Sequence, residues 1–133
     1  HNKADLITSF YINREARGKT RVFISNIYHL IYLAFFGYTN IYLNGPTIYP
    51  TELLRSFKIR SNRFSIVTEL NIKCIRSRIS FFEIPGMMNT GSTGSTAIGL
   101  KNLFEVIKVF FLLIFEIHFK DKRKFKNNAV RVI

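Results

Sequence analysis

The chain has 133 residues, enough for one modest domain or for part of a larger one. Its 20 basic and 8 acidic residues give a net charge of +12, while 47% of its residues are apolar and 14 are phenylalanine. So much apolar side chain excludes intrinsic disorder. The excess of basic residues indicates an anionic partner, and the accompanying runs of Phe, Ile and Leu favour a membrane surface.

The first third of the sequence predicts a strand followed by a helix. Residues 4–11 are rich in β-formers and predict a short strand, after which residues 12–20 form a polar and basic loop. Thr20 is the expected N-cap of an apolar helix over residues 21–36, which Gly37 ends. More than half of the circumference of this helix is apolar, so it lies either between layers of the fold or against lipid.

The middle of the sequence predicts further alternation of helix and strand. The Asn-Gly-Pro sequence at residues 44–46 predicts a turn between two short extended pieces, and a short helix begins at Thr51. A second apolar helix is expected over residues 64–76 and a strand over residues 79–85. This alternation predicts an α/β fold in which strands 4–11 and 79–85 share one mixed sheet and both long helices pack on it.

Neither the cysteine nor the histidines of this chain suggest a catalytic centre. Cys74 falls on the apolar side of its predicted helix, where a cysteine usually acts as a small packed hydrophobe. His29 and His118 lie within apolar segments and are interpreted as packed or interfacial side chains. No pair of carboxylates has the spacing of a divalent metal clamp, so no metal site is expected in this chain.

Two segments could together bind phosphate. A Gly, Ser and Thr loop over residues 89–96 is either a flexible linker or a backbone cradle for phosphate, although it lacks the lysine and spacing of a P-loop. A basic loop precedes the first helix, where an Arg and a Ser four residues apart share one helix face; the alternative is a solvated basic loop. The candidate phosphate- or acceptor-binding residues are Arg21, Ser25, Asn89, Gly91, Ser92 and Ser95.

The segment from 97 to 119 predicts a long amphipathic helix. Its charged residues Lys101, Glu105, Lys108 and Glu116 are expected to lie near one face and to point to water. A membrane span or a soluble core helix are the alternatives, but a span would place Lys108 in the bilayer at a cost of about 2.5–3.5 kcal/mol. A helix lying in the membrane interface avoids that cost.

A basic run follows this helix and favours binding to anionic lipid on the cytoplasmic face of a membrane. The expected membrane-binding residues of the helix and this run are Phe104, Phe110, Phe111, Phe115, Lys122, Arg123 and Lys124.

Six short motifs follow one another in a recognisable order: Thr8-Ser9-Phe10-Tyr11, Arg21 with Ser25, the turn of residues 44–54, Thr68-Glu69-Leu70, Phe82-Glu83-Ile84-Pro85, and the loop from Gly91 to Thr96. Their order over residues 4–119 resembles the C-terminal half of family 2 glycosyltransferases of the dolichol-phosphate-mannose-synthase-like group. The resemblance implies a partial GT-A α/β fold. Residues 1–96 would form its acceptor-side half, residues 97–119 the interface helix and residues 120–133 a basic tail.

The resemblance also implies an activity, the transfer of a sugar from a nucleotide-sugar to a polyprenyl phosphate or another membrane-associated acceptor. Arg21 and Ser25 would then bind phosphate. The family's divalent metal, Mg or Mn, belongs to a nucleotide-binding half that this sequence lacks, and Phe10 stands where the family has an arginine. We therefore interpret the chain as a fragment that is inactive without that half, with sheet edges that could drive self-association.

Two other classes of function are open on the sequence. One is a non-enzymatic, basic protein of the membrane surface that binds anionic lipid. The other is a nucleic-acid binder, which the charge of +12 allows. The basic residues are dispersed and no recognised nucleic-acid-binding module is present, so we expect no nucleic-acid partner.

Overall fold

A mixed four-stranded sheet organises the part of the chain that the structure, a computed structural model, describes: residues 4–37, 40, 42–62, 65–89 and 100–132. Its strands are β1 (Leu6–Tyr11), β2 (Thr47–Ile48), β3 (Ser80–Gly86) and β4 (Val130–Arg131). Their order in the sheet is β2-β1-β3-β4. The central pair, β1 and β3, is parallel, β2 is antiparallel to β1, and β4 is parallel to β3. The prediction that strands 4–11 and 79–85 share one mixed sheet is confirmed.

Within the described residues, four helices accompany this sheet: α1 (Lys19–Phe36), α2 (Thr51–Arg55), α3 (Ser65–Ile75) and α4 (Leu100–Phe115). A short 3-10 turn (Arg14–Arg17) precedes α1, and a π-helical turn (Glu116–Lys120) extends α4. The expected α/β fold with a mixed sheet and packed helices is confirmed. No helix within the described residues combines the length and hydropathy needed to cross a bilayer.

The ends of α1 are set by two glycines. The expected N-cap at Thr20 is wrong, because α1 begins at Lys19 and Gly18 occupies the N-cap position with a φ of 88°. The chain needs that positive φ to leave the 3-10 turn, and glycine supplies it without steric cost. The expected end at Gly37 is confirmed: this residue has a φ of 60°, and its N–H donates to the Leu33 carbonyl at 2.8 Å.

The Asn-Gly-Pro turn brings the backbone directly against β1. A Cβ atom on Gly45 would lie 1.7 Å from the Ser9 carbonyl oxygen, so no other residue fits without a shift of the backbone. The next residue, Pro46, accepts a hydrogen bond from the Ser9 N–H at 3.0 Å. This close approach is what places β2 beside β1.

Helix α3 lies at the centre of the molecule. It is buried around most of its circumference, and not only along the predicted apolar side. Three neutral polar side chains of α3 are buried, and two of them are hydrogen-bonded: Thr68 bonds with Tyr28 and Asn44, and Asn71 with Tyr49 and the Leu43 carbonyl. The third, the Ser65 hydroxyl, has no hydrogen-bond partner within the described residues. The core around α3 combines side chains of α3 itself with those of the sheet, α1, α4 and the segment after α4. They are Leu6, Tyr32, Phe36, Ile72, Ile75, Phe81, Val109, Leu113, Ile117 and Phe125.

The C-terminal residues, expected only as a basic tail, dock on the sheet. The Val130 N–H donates to the Ile79 carbonyl and the Val132 N–H to the Phe81 carbonyl, both at 2.8 Å. Phe125 is buried and stacks on Phe57 with 6.2 Å between the ring centroids. Strand β4 therefore covers the edge of β3 that would otherwise be open.

Candidate functional site

A broad apolar surface is exposed on the outer sides of α1 and α4. We call it the apolar face; it consists of Phe23, Ile24, Ile27, Leu30, Ile31, Leu33 and Phe35 on α1, with Leu103, Phe104, Ile107, Phe111 and Phe115 on α4. Phe104 is the most exposed of these side chains at 72%. Single exposed apolar residues are ordinary, but a contiguous set of this size marks an interaction surface.

Phe110 joins the two parts of the apolar face. Its ring lies 5.1 Å from that of Phe35 on α1 and 5.2 Å from that of Tyr32, both edge-on. The neighbouring Phe111 ring lies 5.7 Å away and is itself exposed. At the end of α4 the His118 Nε2 atom is 2.9 Å from the Phe35 carbonyl oxygen, which ties the π-helical turn to α1. The exposed apolar surface is therefore continuous from α1 to α4.

The charged residues of α4 do not share one solvent-facing stripe. Glu116, which the sequence predicts to face water, is buried, and that prediction is wrong. Glu105 is half-buried and accepts a hydrogen bond from the Asn62 backbone N–H at 3.0 Å. Of the described side chains in this set, Lys108 is the exposed one, and it lies beside the phenylalanines of the apolar face. The side chain of Lys101 lies outside the described residues.

The predicted membrane-binding residues do not share one environment. Phe104, Phe111 and Phe115 are exposed, Phe110 is half-buried against α1, and Lys122 and Arg123 are exposed in the turn after α4. Lys124 instead folds back on the protein: its ammonium donates to the Ser56 carbonyl at 2.8 Å and lies 4.9 Å from the centroid of the Phe57 ring.

The buried carboxylate of Glu116 belongs to an ionic cluster between α3 and α4, which we call the buried ion cluster (Glu69, Lys73 and Glu116). The Lys73 ammonium is fully buried and lies 2.7 Å from Glu69 and 2.9 Å from Glu116. Its third contact is the Lys58 carbonyl at 2.7 Å. All three N–H donors of the ammonium are thereby used, and Arg60 lies 3.7 Å from the second oxygen of Glu116.

Glu69 is held in its ionised form by several donors. Burial is the largest single influence and raises its pKa. It is outweighed by the hydrogen bonds from Lys73 and from the backbone N–H groups of Arg60 and Ser61, so the pKa of Glu69 lies below the ordinary value of 4.5. A carboxylate that accepts this many hydrogen bonds has a structural role. Through it, the buried ion cluster connects α3 with α4 and with the segment before α3.

We expect Glu69 to make stability depend on acid pH. Because its folded pKa lies below its ordinary value, its contribution is fully present above pH 4.5 and is lost as the pH falls through the folded pKa. Glu69→Gln should lower the free energy of unfolding at pH 7 by about 1–3 kcal/mol. It should also make the free energy of unfolding fall less steeply as the pH is lowered. Urea unfolding between pH 7 and pH 3 measures both effects, and an unchanged pH dependence in the variant would contradict the assignment.

A second set of candidate residues lies at the carboxyl edge of the parallel strands. Tyr11, the last residue of β1, is in register with Gly86, the last residue of β3. Just beyond them the Asn13 side chain bonds twice to the Met88 backbone, at 3.0 Å to its carbonyl and at 2.7 Å to its N–H. This edge is where open α/β sheets commonly bind ligands.

Two arginines of the 3-10 turn lie on aromatic rings at this edge. The Arg14 guanidinium lies 5.2 Å from the centroid of the Tyr42 ring and donates to the Asn26 side chain at 2.6 Å. The Arg17 guanidinium donates to the Tyr42 hydroxyl at 2.8 Å and lies 5.9 Å from the Tyr11 ring. Neither arginine is ion-paired with a carboxylate in the described part of the chain.

The predicted phosphate-binding residues are only partly described. Arg21 and Ser25 lie one turn apart on the half-buried side of α1. Asn89 is exposed directly after the Asn13–Met88 pair, at the same edge of the sheet. Gly91, Ser92 and Ser95 lie outside the described residues. Sequence reasoning missed the pairing of Arg14 and Arg17 with the tyrosines, because Tyr42 is distant in sequence and follows no motif.

Burial shifts the pKa of the single thiol and of one histidine. Cys74 is fully buried, and burial raises the pKa of its thiol to about 12, which agrees with its interpretation as a packed side chain. Burial, and secondarily the positive charge of Arg14, lowers the pKa of His29. Within the described residues no three His, Cys, Asp or Glu side chains converge as metal ligands.

No known protein family, curated protein or solved structure matches this chain.

Proposed function

We propose that this chain binds the surface of an anionic membrane through the apolar face of α1 and α4. The observation that carries the proposal is the continuous exposed apolar surface on a chain with a net charge of +12. Complete burial of a Phe, Leu or Ile side chain contributes about 1.5–3 kcal/mol. Several half-exposed side chains inserted together therefore supply a large part of a stable membrane affinity.

The charges around the apolar face support an anionic bilayer as its partner. Lys108 lies beside the exposed phenylalanines, and its long stem allows the ammonium to reach the headgroups while those rings insert. Lys120, Lys122 and Arg123 are exposed at the C-terminal end of α4. Each such charge near a negatively charged leaflet adds about 1 kcal/mol. On this proposal the chain is peripheral, and the positive charges favour the cytoplasmic leaflet.

Sedimentation with vesicles across a salt series tests this proposal. We expect binding to phosphatidylglycerol-containing vesicles that weakens with salt and then levels off, because apolar insertion resists screening. Vesicles of phosphatidylcholine alone should bind much less protein. A chain that forms a stable dimer and binds neither vesicle would show that a second copy covers the apolar face instead. Binding to duplex DNA whose affinity falls more steeply with salt than the affinity for vesicles would favour a nucleic-acid partner.

A second proposal concerns the chemistry carried out at that membrane. From the resemblance to family 2 glycosyltransferases, we propose that the chain is the acceptor-side part of an enzyme that transfers a sugar to a polyprenyl phosphate. The observation that favours it is the carboxyl edge of β1 and β3, where the basic 3-10 turn and the start of the loop at Asn89 meet. From that edge the chain continues through the 3-10 turn into α1, which carries part of the apolar face.

Reconstitution with a separate nucleotide-binding half tests the second proposal. The purified chain, a family 2 nucleotide-binding half and a labelled nucleotide-sugar are combined with vesicles that contain a polyprenyl phosphate. We expect label in the lipid only when both protein parts are present, and a lower rate with the chain carrying Arg21→Ala. Absence of transfer with every nucleotide-sugar, while the two parts form a complex, would overturn the proposal.

A further inference from the structure

We infer that Arg14 and Arg17 form a binding site for a phosphomonoester group carried by a membrane lipid. This inference rests on the proposed membrane binding and adds the chemical class of headgroup that the protein selects. A 3-10 helix has three residues per turn, so side chains three apart lie on the same side of it. The two guanidinium groups therefore converge on Tyr42, one over the ring and the other at its hydroxyl.

The aromatic and amide contacts hold both guanidinium groups in place and leave donors free. A guanidinium has five N–H donors. The contacts described use one donor of Arg14, at Asn26, and one of Arg17, at the Tyr42 hydroxyl. Tyr42 is itself buried, so it is a fixed support. Both guanidinium groups contact Tyr42 and neither is ion-paired with a carboxylate among the described residues, so an anion that reaches both is attracted by two positive charges.

The chemistry of the pair favours a phosphomonoester. A phosphomonoester carries up to two negative charges and three terminal oxygens, enough to accept bonds from two guanidinium groups at once. A phosphodiester has one charge and two such oxygens. The pair should therefore distinguish a terminal phosphate from the phosphodiester of common anionic lipids.

The position of the pair favours a lipid as the carrier of this phosphate. Arg14 bonds to Asn26 of α1, and the neighbouring Phe23, Ile27 and Leu30 of that helix belong to the apolar face. A phosphate at the arginines therefore lies at the border of the membrane-binding surface, at the level of the headgroups. The hydrocarbon chain attached to it can lie along α1.

The test compares vesicles with phosphatidic acid and vesicles with phosphatidylglycerol at equal surface potential. We expect the protein to bind the first about tenfold more tightly, since each guanidinium gains charge-assisted bonds to the additional oxygen. Arg14→Gln with Arg17→Gln should remove this preference while binding to phosphatidylglycerol vesicles remains. The matched control, Arg55→Gln with Lys58→Gln, removes two exposed charges of the α2 region and should keep the preference. Urea unfolding of each variant verifies that it is folded.

The remaining outcomes separate this inference from the proposed function. Equal binding to the two vesicles, or a preference that persists in the Arg14 and Arg17 double variant, would overturn the inference and leave membrane binding intact. If the protein binds neither vesicle, the proposed function fails, and a thermal shift with inorganic phosphate then tests the site alone. A phosphate-induced shift that the double variant lacks would support a site for free phosphate, whereas no shift would overturn the site.

Discussion

Lys73→Met is expected to lower the free energy of unfolding by about 3–5 kcal/mol, the usual cost of removing one partner from a buried ion pair. The variant leaves Glu69 and Glu116 buried and close together with no ammonium between them. It also leaves the Lys58 carbonyl without the hydrogen bond that Lys73 donates. Urea unfolding at pH 7 measures the loss, and Lys108→Met, which removes an exposed lysine, should change stability by less than about 0.5 kcal/mol.

A second variant separates the buried charge from the lost packing. In Lys73→Met combined with Glu69→Gln and Glu116→Gln, no charge of the buried ion cluster remains, while the amide oxygen at position 69 can still accept the backbone bonds of Arg60 and Ser61. We expect this triple variant to be more stable than Lys73→Met alone. A triple variant that is less stable than the single one would contradict the explanation by uncompensated charge.

The buried ion cluster also sets the orientation of α4. Its two carboxylates come from α3 and from the π-helical turn, which are 47 residues apart in sequence, and the ammonium draws them together. With Glu116 turned inward, Phe115 and Phe119 on either side of it remain exposed. The cluster therefore contributes to the side of α4 that faces the membrane in our proposal.

The presence of β1 and β3 in one sheet could be predicted from local sequence. Both strands are runs of β-formers, and the chain between them contains three α-helical segments, which is long enough for the crossover that a parallel pair needs. The end of α1 was also predictable, since a glycine after an apolar helix indicates its C-cap. Its beginning was not, because the positive φ at Gly18 arises from the preceding 3-10 turn and leaves no pattern of its own.

Long-range contacts account for what the sequence could not predict. Strand β4 has only two residues within a basic segment, and it forms where it does because Phe125 is buried against Phe57. The Glu69–Lys73 spacing of four is that of an ordinary helical ion pair, whereas the inward turn of Glu116 depends on tertiary packing. The apolar stripe of α4 was predictable, but its continuity with α1 depends on the contacts of Phe110.

Phe104→Ser combined with Phe111→Ser is expected to weaken vesicle binding by about 100-fold. Both rings are largely exposed, at 72% and 63%, so they are available to insert into the bilayer. We expect each ring to contribute about 1.4 kcal/mol of insertion free energy, close to the lower end of the range for complete burial of a Phe side chain. A loss of that size is a tenfold change in affinity for each ring. The substitution leaves the net charge of the chain unchanged, so long-range attraction to the anionic lipid remains.

The matched control places serine at exposed apolar positions away from the apolar face, as Ile48→Ser with Val130→Ser on the edge strands β2 and β4. It should leave vesicle binding unchanged within about twofold, since these side chains are not part of the inserting surface. The two double variants are compared by sedimentation with phosphatidylglycerol vesicles at high salt, where apolar insertion dominates the affinity. Equal losses in both would show that exposed apolar side chains act nonspecifically. A loss confined to the α4 variant is the result that α4 insertion requires.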